Sequence, residues 1–270
     1  MNTIKIKRPQ FSMGIDLFVN PLILGLLKKH HGYISGGVIT SVFTRKKIND
    51  VDIYFLTEDS RVNFMKDLKA ENKFVNNYDR AKTEAMFNAA RKKPQITYVT
   101  DNATSFFFKD KKYQVITAFY GEPGTVFDKY DFTINMGAYN PETKEFIVHE
   151  DLFEHLSQRR LVINIGTEYP ISTVVRIFKY IRKGYSISGI ELIKILLTVH
   201  HLDLKNFAEL KKQLMGIDTM FLKPLTDFLS SQEHSEKAYD FSEFMKIYDN
   251  MMSAVLDDDT PSGKDDEVIS

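Results

Sequence analysis

A chain of 270 residues, 43% hydrophobic and 27% charged, has room for one large folded domain or two small ones, and its composition excludes a disordered or collagen-like chain. It contains no cysteine, so disulfide frameworks, thiolate metal sites and cysteine nucleophiles are excluded, and any metal must sit on carboxylates, histidines or backbone oxygens. Lys+Arg 36 balance Asp+Glu 36, yet the last fifteen residues carry Asp257, Asp258, Asp259, Asp265, Asp266 and Glu267 against Lys264 alone, which leaves the rest mildly basic. Such a body suits a polyanion such as a nucleotide or RNA, and an ordinary solvated surface fits the same charge.

The apolar run Pro21 to Leu27 is too short to span a bilayer and is not preceded by a signal-peptide pattern, so the chain reads as cytosolic. Asn20 and Pro21 read as an N-cap and first helical residue, opening a helix to about Lys29. A short strand, Tyr33 to Ser35, then runs into Gly36 and Gly37. Val51 to Leu56 is β-rich and ends in polar residues, from which Ser60 is expected to cap a helix over about Arg61 to Ala70. Another helix is expected within Asp79 to Lys92, stopped by Pro94. Strands follow at Ile96 to Thr100, Ser105 to Phe108 and Tyr113 to Tyr120, the last two forming a hairpin around a polar turn, Lys109 to Lys112. A further strand is expected over Phe132 to Ala138.

Beyond Glu150 the pattern is helical. Along Ser172 to Tyr185, Val174, Phe178, Ile181 and Tyr185 make one apolar stripe, with Arg176, Lys179 and Lys183 facing the other way. More helices fit Gly189 to Val199, Asn206 to Leu214, Leu222 to Ser230 and Phe241 to Leu256, before an acidic tail expected to be disordered.

The segment Gly36 to Phe55 carries the chemistry. Asp50 and Asp52 alternate on one strand and point to one side of it. Two carboxylates on one face repel unless a cation lies between them, and Mg²⁺ favours one or two carboxylates plus substrate phosphates. Glycines let backbone N–H groups approach a polyphosphate closely. The combination suits metal-assisted phosphoryl or nucleotidyl transfer, whereas a D-x-D or a G-G alone is common on surfaces and in turns.

Strand, glycine pair, helix, then a strand with alternating aspartates resembles the DNA polymerase beta-like nucleotidyltransferase superfamily. Within it, the spacing from Gly37 to Asp50 is similar to that of the CCA-adding tRNA nucleotidyltransferases and bacterial poly(A) polymerases, as is the block D-F-T-I-N-M-G-A-Y at Asp131 to Tyr139. Leu152 to Arg160 resembles the head-to-neck link, and Glu168 to Tyr185 the neck helix. The resemblance implies an α+β fold: a nucleotidyltransferase head with a mixed sheet over residues 1–155, then an all-helical neck and body over 156–256 and the tail from 257 to 270.

It further implies that Asp50 and Asp52 hold the catalytic Mg²⁺ ions, that Gly36 and Gly37, with Ser35 beside them, lie against the triphosphate, and that Asp131 and Asn135 contact the nucleotide near its sugar. The chain also departs from the family pattern. Thr40 and Ser41 stand where an arginine and an aspartate are expected, with Arg45 or Lys46 as substitutes, and Lys129 and Tyr130 replace two arginines. A third carboxylate is expected on the strand at Tyr113 to Tyr120, where Gln114 is the nearest match; either Asp131 supplies the third acid, the preferred reading, or the site works with two. A structural aspartate capping a turn is the alternative for Asp131.

Glu168, Tyr169 and Pro170 do not reproduce the base-reading motif of the neck, and the basic residues Arg176 and Lys179 are candidates to meet the base or an RNA backbone, or simply a solvated face. The leading expectation is an Mg²⁺-dependent, template-independent enzyme that moves a nucleoside monophosphate from an NTP (ATP or CTP) to a hydroxyl, with an RNA 3′ end, tRNA foremost, as acceptor. The chain is short for the family, which fits a compact, viral form. The alternatives are a toxin-like or antibiotic-modifying nucleotidyltransferase acting on tRNA, a protein or a small molecule, and a degenerate head that binds nucleotide or RNA without catalysis. His149 and His155 lack the spacing of two zinc ligands on one helix face.

Overall fold

The computed structural model describes residues 2–71, 95–99, 102–109, 111–204 and 206–214, together with 242, 243, 245–247 and 249. The helices expected within Asp79 to Lys92 and at Leu222 to Ser230, most of the one at Phe241 to Leu256, and the acidic tail lie outside the described residues. The chain divides into two units. One holds Met1–Asp128 and Thr133–Leu156, the other Lys129–Phe132 and Ser157–Asp266.

The first unit is α+β. Its strands are β1 (Thr3–Ile6), β2 (Gly32–Ser35), β3 (Asp50–Phe55), β4 (Gln95–Val99), β5 (Ala103–Phe108), β6 (Lys111–Tyr120), β7 (Gly137–Asn140) and β8 (Glu145–His149). They form an eight-stranded mixed sheet in the order β1-β8-β7-β2-β3-β6-β5-β4. β3 and β6 run parallel, and the other neighbours are antiparallel. Its helices are α1 (Pro9–Phe18), α2 (Pro21–Lys29), α3 (Gly37–Phe43), α4 (Glu58–Glu71), α5 (Pro123–Phe127) and α6 (Leu152–Ser157).

Helix α2 starts as its sequence dictates. The Asn20 side chain accepts the N–H of Leu22 at 2.9 Å, Pro21 supplies the preset first turn, and Ile23 and Leu27 are buried. α4 begins earlier than expected because Thr57, not Ser60, caps it, accepting the Ser60 N–H at 3.2 Å. In β3 the odd positions Val51, Ile53 and Phe55 are fully buried. Phe55 packs on Phe64 of α4 with ring centroids 5.0 Å apart, and Gly32 lies so close to Leu27 and Phe55 that a Cβ there would be 2.6 Å from Leu27 Cδ2. Burying that face under α2 and α4 turns Asp50 and Asp52 to the other one.

The expected strand over Phe132 to Ala138 is not continuous. Phe132 makes an isolated bridge to Ile163, Thr133–Asn135 is a 3₁₀ turn, and β7 starts only at Gly137. A side-chain bond to the carbonyl of Ile134, from Thr40 at 2.7 Å, takes up a group that a ladder would otherwise use. Likewise the turn expected at Lys109 to Lys112 is shorter, since β6 already includes Lys111 and Lys112.

In the second unit the described elements are α7 (Pro170–Arg182), α8 (Gly189–His200) and α9 (Phe207–Leu214), with a two-stranded parallel pair, β9 (Arg160–Leu161) and β10 (Ser186–Ile187), inside what the sequence suggested was purely helical. The stripe expected on α7 is not its buried face. Phe178 is 62% exposed and Ile181 44%, while Ser172, Thr173 and Ile177 are buried. The helix is rotated so that Thr173 and Arg176 reach the buried Asp131 carboxylate, whose need for donors outweighs burying two apolar side chains. Among the described residues no single helix is long and apolar enough to cross a membrane.

Candidate functional site

The site of the first unit is built from the strand register. Ser35 pairs with Asp52 across β2 and β3, while the parallel neighbour β6 sets Lys112 beside Asp50 and Gln114 beside Asp52. Ser105 of β5 lies opposite Gln114, so a row of polar side chains, Ser35, Asp52, Gln114 and Ser105, runs across four strands. Asp50 and Asp52 are half-buried and share a face, as the alternation required.

Gly36 ends β2 with φ +84° and ψ −143°, a conformation that essentially only glycine adopts. A Cβ there would be 3.3 Å from Asp52 Oδ2, so the bend is set directly against that carboxylate. The bend is pinned from behind by one carbonyl: the N–H of Gly36 and the hydroxyl of Ser35 both donate to the oxygen of Gly137, at 3.1 and 2.7 Å. Ser35 is fully buried, and its hydroxyl holds the bend. Gly37 is exposed, and a Cβ on it would meet nothing within 4 Å.

Gln114, where the third acid was expected, is joined to Asp52. With its amide oriented to satisfy both atoms, the NH₂ donates to Asp52 Oδ1 at 2.8 Å and the oxygen accepts from Lys112 Nζ at 3.2 Å. Thr40, where an arginine was expected, is buried; its hydroxyl donates to Ile134 and approaches Asn135 Oδ1 at 3.3 Å, tying α3 to the 3₁₀ turn. Arg45, with φ +55°, and Lys46 are exposed in the loop between α3 and β3.

The remaining predicted residues lie in the second unit. Asp131 Oδ1 accepts the hydroxyls of Thr167 and Thr173, each at 2.9 Å, and Oδ2 accepts from Arg176. Lys129 pairs with Glu168 at 3.2 Å, and Lys212 reaches the other oxygen of Glu168 at 2.8 Å. The Lys212 ammonium, and after it that of Lys129, holds the Glu168 carboxyl below the usual carboxylate range, and Glu168 in turn raises Lys212. Lys179 is exposed. Asp131, Lys129 and Arg176 are thus each engaged inside this unit.

Among the described residues no group of three histidines or acids gathers. Of the acids predicted for the site, Asp50 and Asp52 together fit a divalent ion. They offer two half-buried carboxylates on one face, a donor set of the number Mg²⁺ takes from protein when phosphate oxygens supply the rest, and Gly36 places no Cβ against Asp52 Oδ2. Sequence reasoning overlooked Lys112, placed in a turn although it stands two positions before Gln114 on the same strand, and Gly137, whose carbonyl fixes the bend.

A sequence model of the Gabija anti-defense 2 family matches residues 6–159. A curated relative, "Gabija anti-defense 2" of Bacillus phage SPbetaL7, is 34% identical over 234 residues, covering 86% of this chain and 51% of its own; the chain therefore spans about half the length of that relative. Solved structures similar in fold include the Thermotoga maritima CCA-adding enzyme complexed with tRNA, at 14% identity and a TM-score of 0.46, covering 97% of this chain and 64% of that one. A CCA-adding enzyme with ATP is similar at 15% identity and a TM-score of 0.48, covering 97% and 63%. A tRNA nucleotidyltransferase with a primer tRNA and an ATP analogue is similar at 16% and 0.47, covering 87% and 68%.

Proposed function

The chain belongs to the Gabija anti-defense 2 family, and we propose that its α+β head is an Mg²⁺-dependent nucleotidyltransferase that moves a nucleoside monophosphate from an NTP to a hydroxyl. The observation that carries this reading is the placement of Asp52, on the same strand face as Asp50, against the left-handed bend at Gly36. Asp50 and Asp52 would hold Mg²⁺, which when bound supplies charge neutralisation to the triphosphate and polarises the acceptor hydroxyl.

The protein's own residues supply position. Gly36 leaves room for phosphate oxygens against the backbone, the Gly137 carbonyl keeps that bend rigid, and Gln114 fixes the orientation of Asp52. Arg45 and Lys46 offer positive charge from the loop before β3. As the new bond from the acceptor oxygen to the α-phosphorus forms, the bond to the β-phosphate oxygen breaks and pyrophosphate leaves.

The acceptor is the finer part of the proposal. Resemblance to CCA-adding enzymes suggests an RNA 3′ end, with ATP or CTP as donor. The alternative is a toxin-like or antibiotic-modifying nucleotidyltransferase acting on a tRNA, a protein or a small molecule, and the phage source of the relative points to the host cytoplasm as the place of action. Incubation with labelled NTPs, Mg²⁺ and host extract tests this: label on RNA shows an RNA acceptor, tRNA being common to both readings, and label on protein or a small molecule supports the second alone. Asp50→Asn with Asp52→Asn is expected to abolish transfer, and transfer that survives it refutes the site.

A second reading, a head that binds nucleotide without transferring it, is favoured by Gln114 in the third acid position and by Thr40 in place of a phosphate-binding arginine. Nucleotide binding with no transfer at high protein concentration would select it.

A further inference from the structure

We propose that the outward face of α8 is an interface between two copies of this chain, the face of one packed on the same face of the other. This pairing is independent of the transfer chemistry of the head.

Helix α8 carries its polarity inside out. Its two charged residues serve the inner side: the buried Glu191 carboxylate accepts the N–H of Ile163 at 2.6 Å and pairs with Lys194 at 2.8 Å, and Ile195, one turn on from Glu191, is buried with it. Ile190, Leu192, Ile193, Leu196 and Leu197 are instead between 40% and 75% exposed. At 3.6 residues per turn these five fall within one arc of about 160°. An amphipathic helix normally turns its apolar arc to the core, and here the core side holds a carboxylate while five large aliphatic side chains face water. Covering the outer face removes that second cost.

Helix α7, which packs against α8, repeats the pattern, with Ser172 and Thr173 buried and Val175, Phe178 and Ile181 exposed. The exposed side chains of α8 present about 500 Å² and those of α7 about 250 Å² more, so two chains joined through them would bury about 1,500 Å², the size of a stable protein interface.

The chemistry of the face selects the occupant. Ile190, Ile193 and Leu197 follow the i, i+3, i+7 spacing by which one helix packs along another. The arc holds neither a carboxylate nor an ammonium, whereas a different protein is selected by complementary charge or a central polar group. A face without such groups meets a copy of itself with no like-charge conflict, and a twofold axis brings the same patch of two chains together.

Sedimentation equilibrium of the full chain at concentrations up to about 50 μM reads the association. The wild type is expected at twice the mass of one chain, and Ile193→Glu/Leu197→Glu is expected to raise the dissociation constant at least about a hundredfold. Ile193→Lys/Leu197→Lys should likewise sediment as single chains, and mixing the two charged variants should restore the pair. The chain contains no cysteine, so oxidation of Ile190→Cys, Ile193→Cys and Leu197→Cys gives a second measurement that holds even if the charged variants fail to fold: at least one of the three is expected to form a covalent dimer, and Lys69→Cys, exposed on α4, is not. A wild type that stays a single chain overturns the proposal, whether lipid, another protein or another part of the same chain then covers the face. A dimer unweakened by the glutamates, charged variants that fold but do not associate on mixing, or no covalent dimer from any of the three α8 cysteines overturns it as well. None of these results bears on transfer by the head.

Discussion

Asp131 and Arg176 are bound to each other within the second unit, although each reads from the sequence as a group waiting for a nucleotide. The carboxylate is almost fully buried and is surrounded by donors: Thr167 and Thr173 on one oxygen and the guanidinium on the other. A buried carboxylate must be satisfied in this way, and the three donors bring α7 to the stretch Lys129–Phe132.

Asp131→Asn is therefore expected to destabilise the chain by about 3 kcal/mol, since it removes a charged acceptor and strands its donors. Arg176→Met, whose side chain is 38% exposed, is expected to cost less, about 1 kcal/mol. Urea unfolding measures both. Unchanged stability combined with lost nucleotide binding in Asp131→Asn would assign that carboxylate to a ligand.

Gly137→Ala would place a Cβ 2.6 Å from Ile39 Cγ2, in a region where Gly137 also anchors the Gly36 bend. A loss of about 1–3 kcal/mol is expected. Ile39→Ala in the same chain relieves the clash, so a double-mutant cycle should return a coupling well above the few tenths found for independent sites.

The two adjacent glycines should behave oppositely. Gly36→Ala forces a side chain into φ +84° and ψ −143° and against Asp52, with an expected loss of about 1–3 kcal/mol and weakened Mn²⁺ binding. Gly37→Ala meets no atom within 4 Å at the start of α3 and is expected to be neutral or stabilising by up to about 1 kcal/mol. Thermal unfolding and Mn²⁺ titration of the two variants make the comparison.

The lowered pKa of Glu168 sets a pH dependence for the second unit. A carboxyl whose folded pKa is depressed stabilises fully above its unfolded value, and that contribution is lost as pH falls through the folded value. The advantage of wild type over Glu168→Gln should thus be constant near neutral pH and shrink below pH 4.5. Lys212, with its pKa raised, contributes with the opposite sign: its share is complete below 10.5 and is lost as pH rises through the folded value. Melting temperatures of wild type and Glu168→Gln across the acid range test the first sign, and those of Lys212→Met across the alkaline range the second.

Local rules carried much of the first unit. D-V-D-I-Y-F alternates strictly enough to put Asp50 and Asp52 on one face, and Asn20 followed by Pro21 opens α2 where the structure has it. Local rules failed where a distant partner intervened. Phe132 to Ala138 contains strand formers, but Thr40, far earlier in the chain, bonds to the Ile134 carbonyl and the segment turns. The apolar stripe on α7 yielded to Asp131. α1, β1 and β8 went unpredicted: α1 opens on Pro9 as α2 opens on Pro21, but Arg8 before it gives no side-chain cap, and β1 and β8 are short, with four and five residues.

By itself the sequence determined the alternation of β3 and the glycine that must follow β2, because side-chain periodicity and backbone sterics act within a few residues. Only the tertiary structure decided what stands beside those acids. Lys112 and Gln114 are about sixty positions away in the chain, and they become neighbours of Asp50 and Asp52 solely because β6 pairs with β3 in this register. Pairing between strands is set by the burial of the whole sheet, so no local reading could have seen that Asp52 meets the amide of Gln114, which in turn accepts from Lys112.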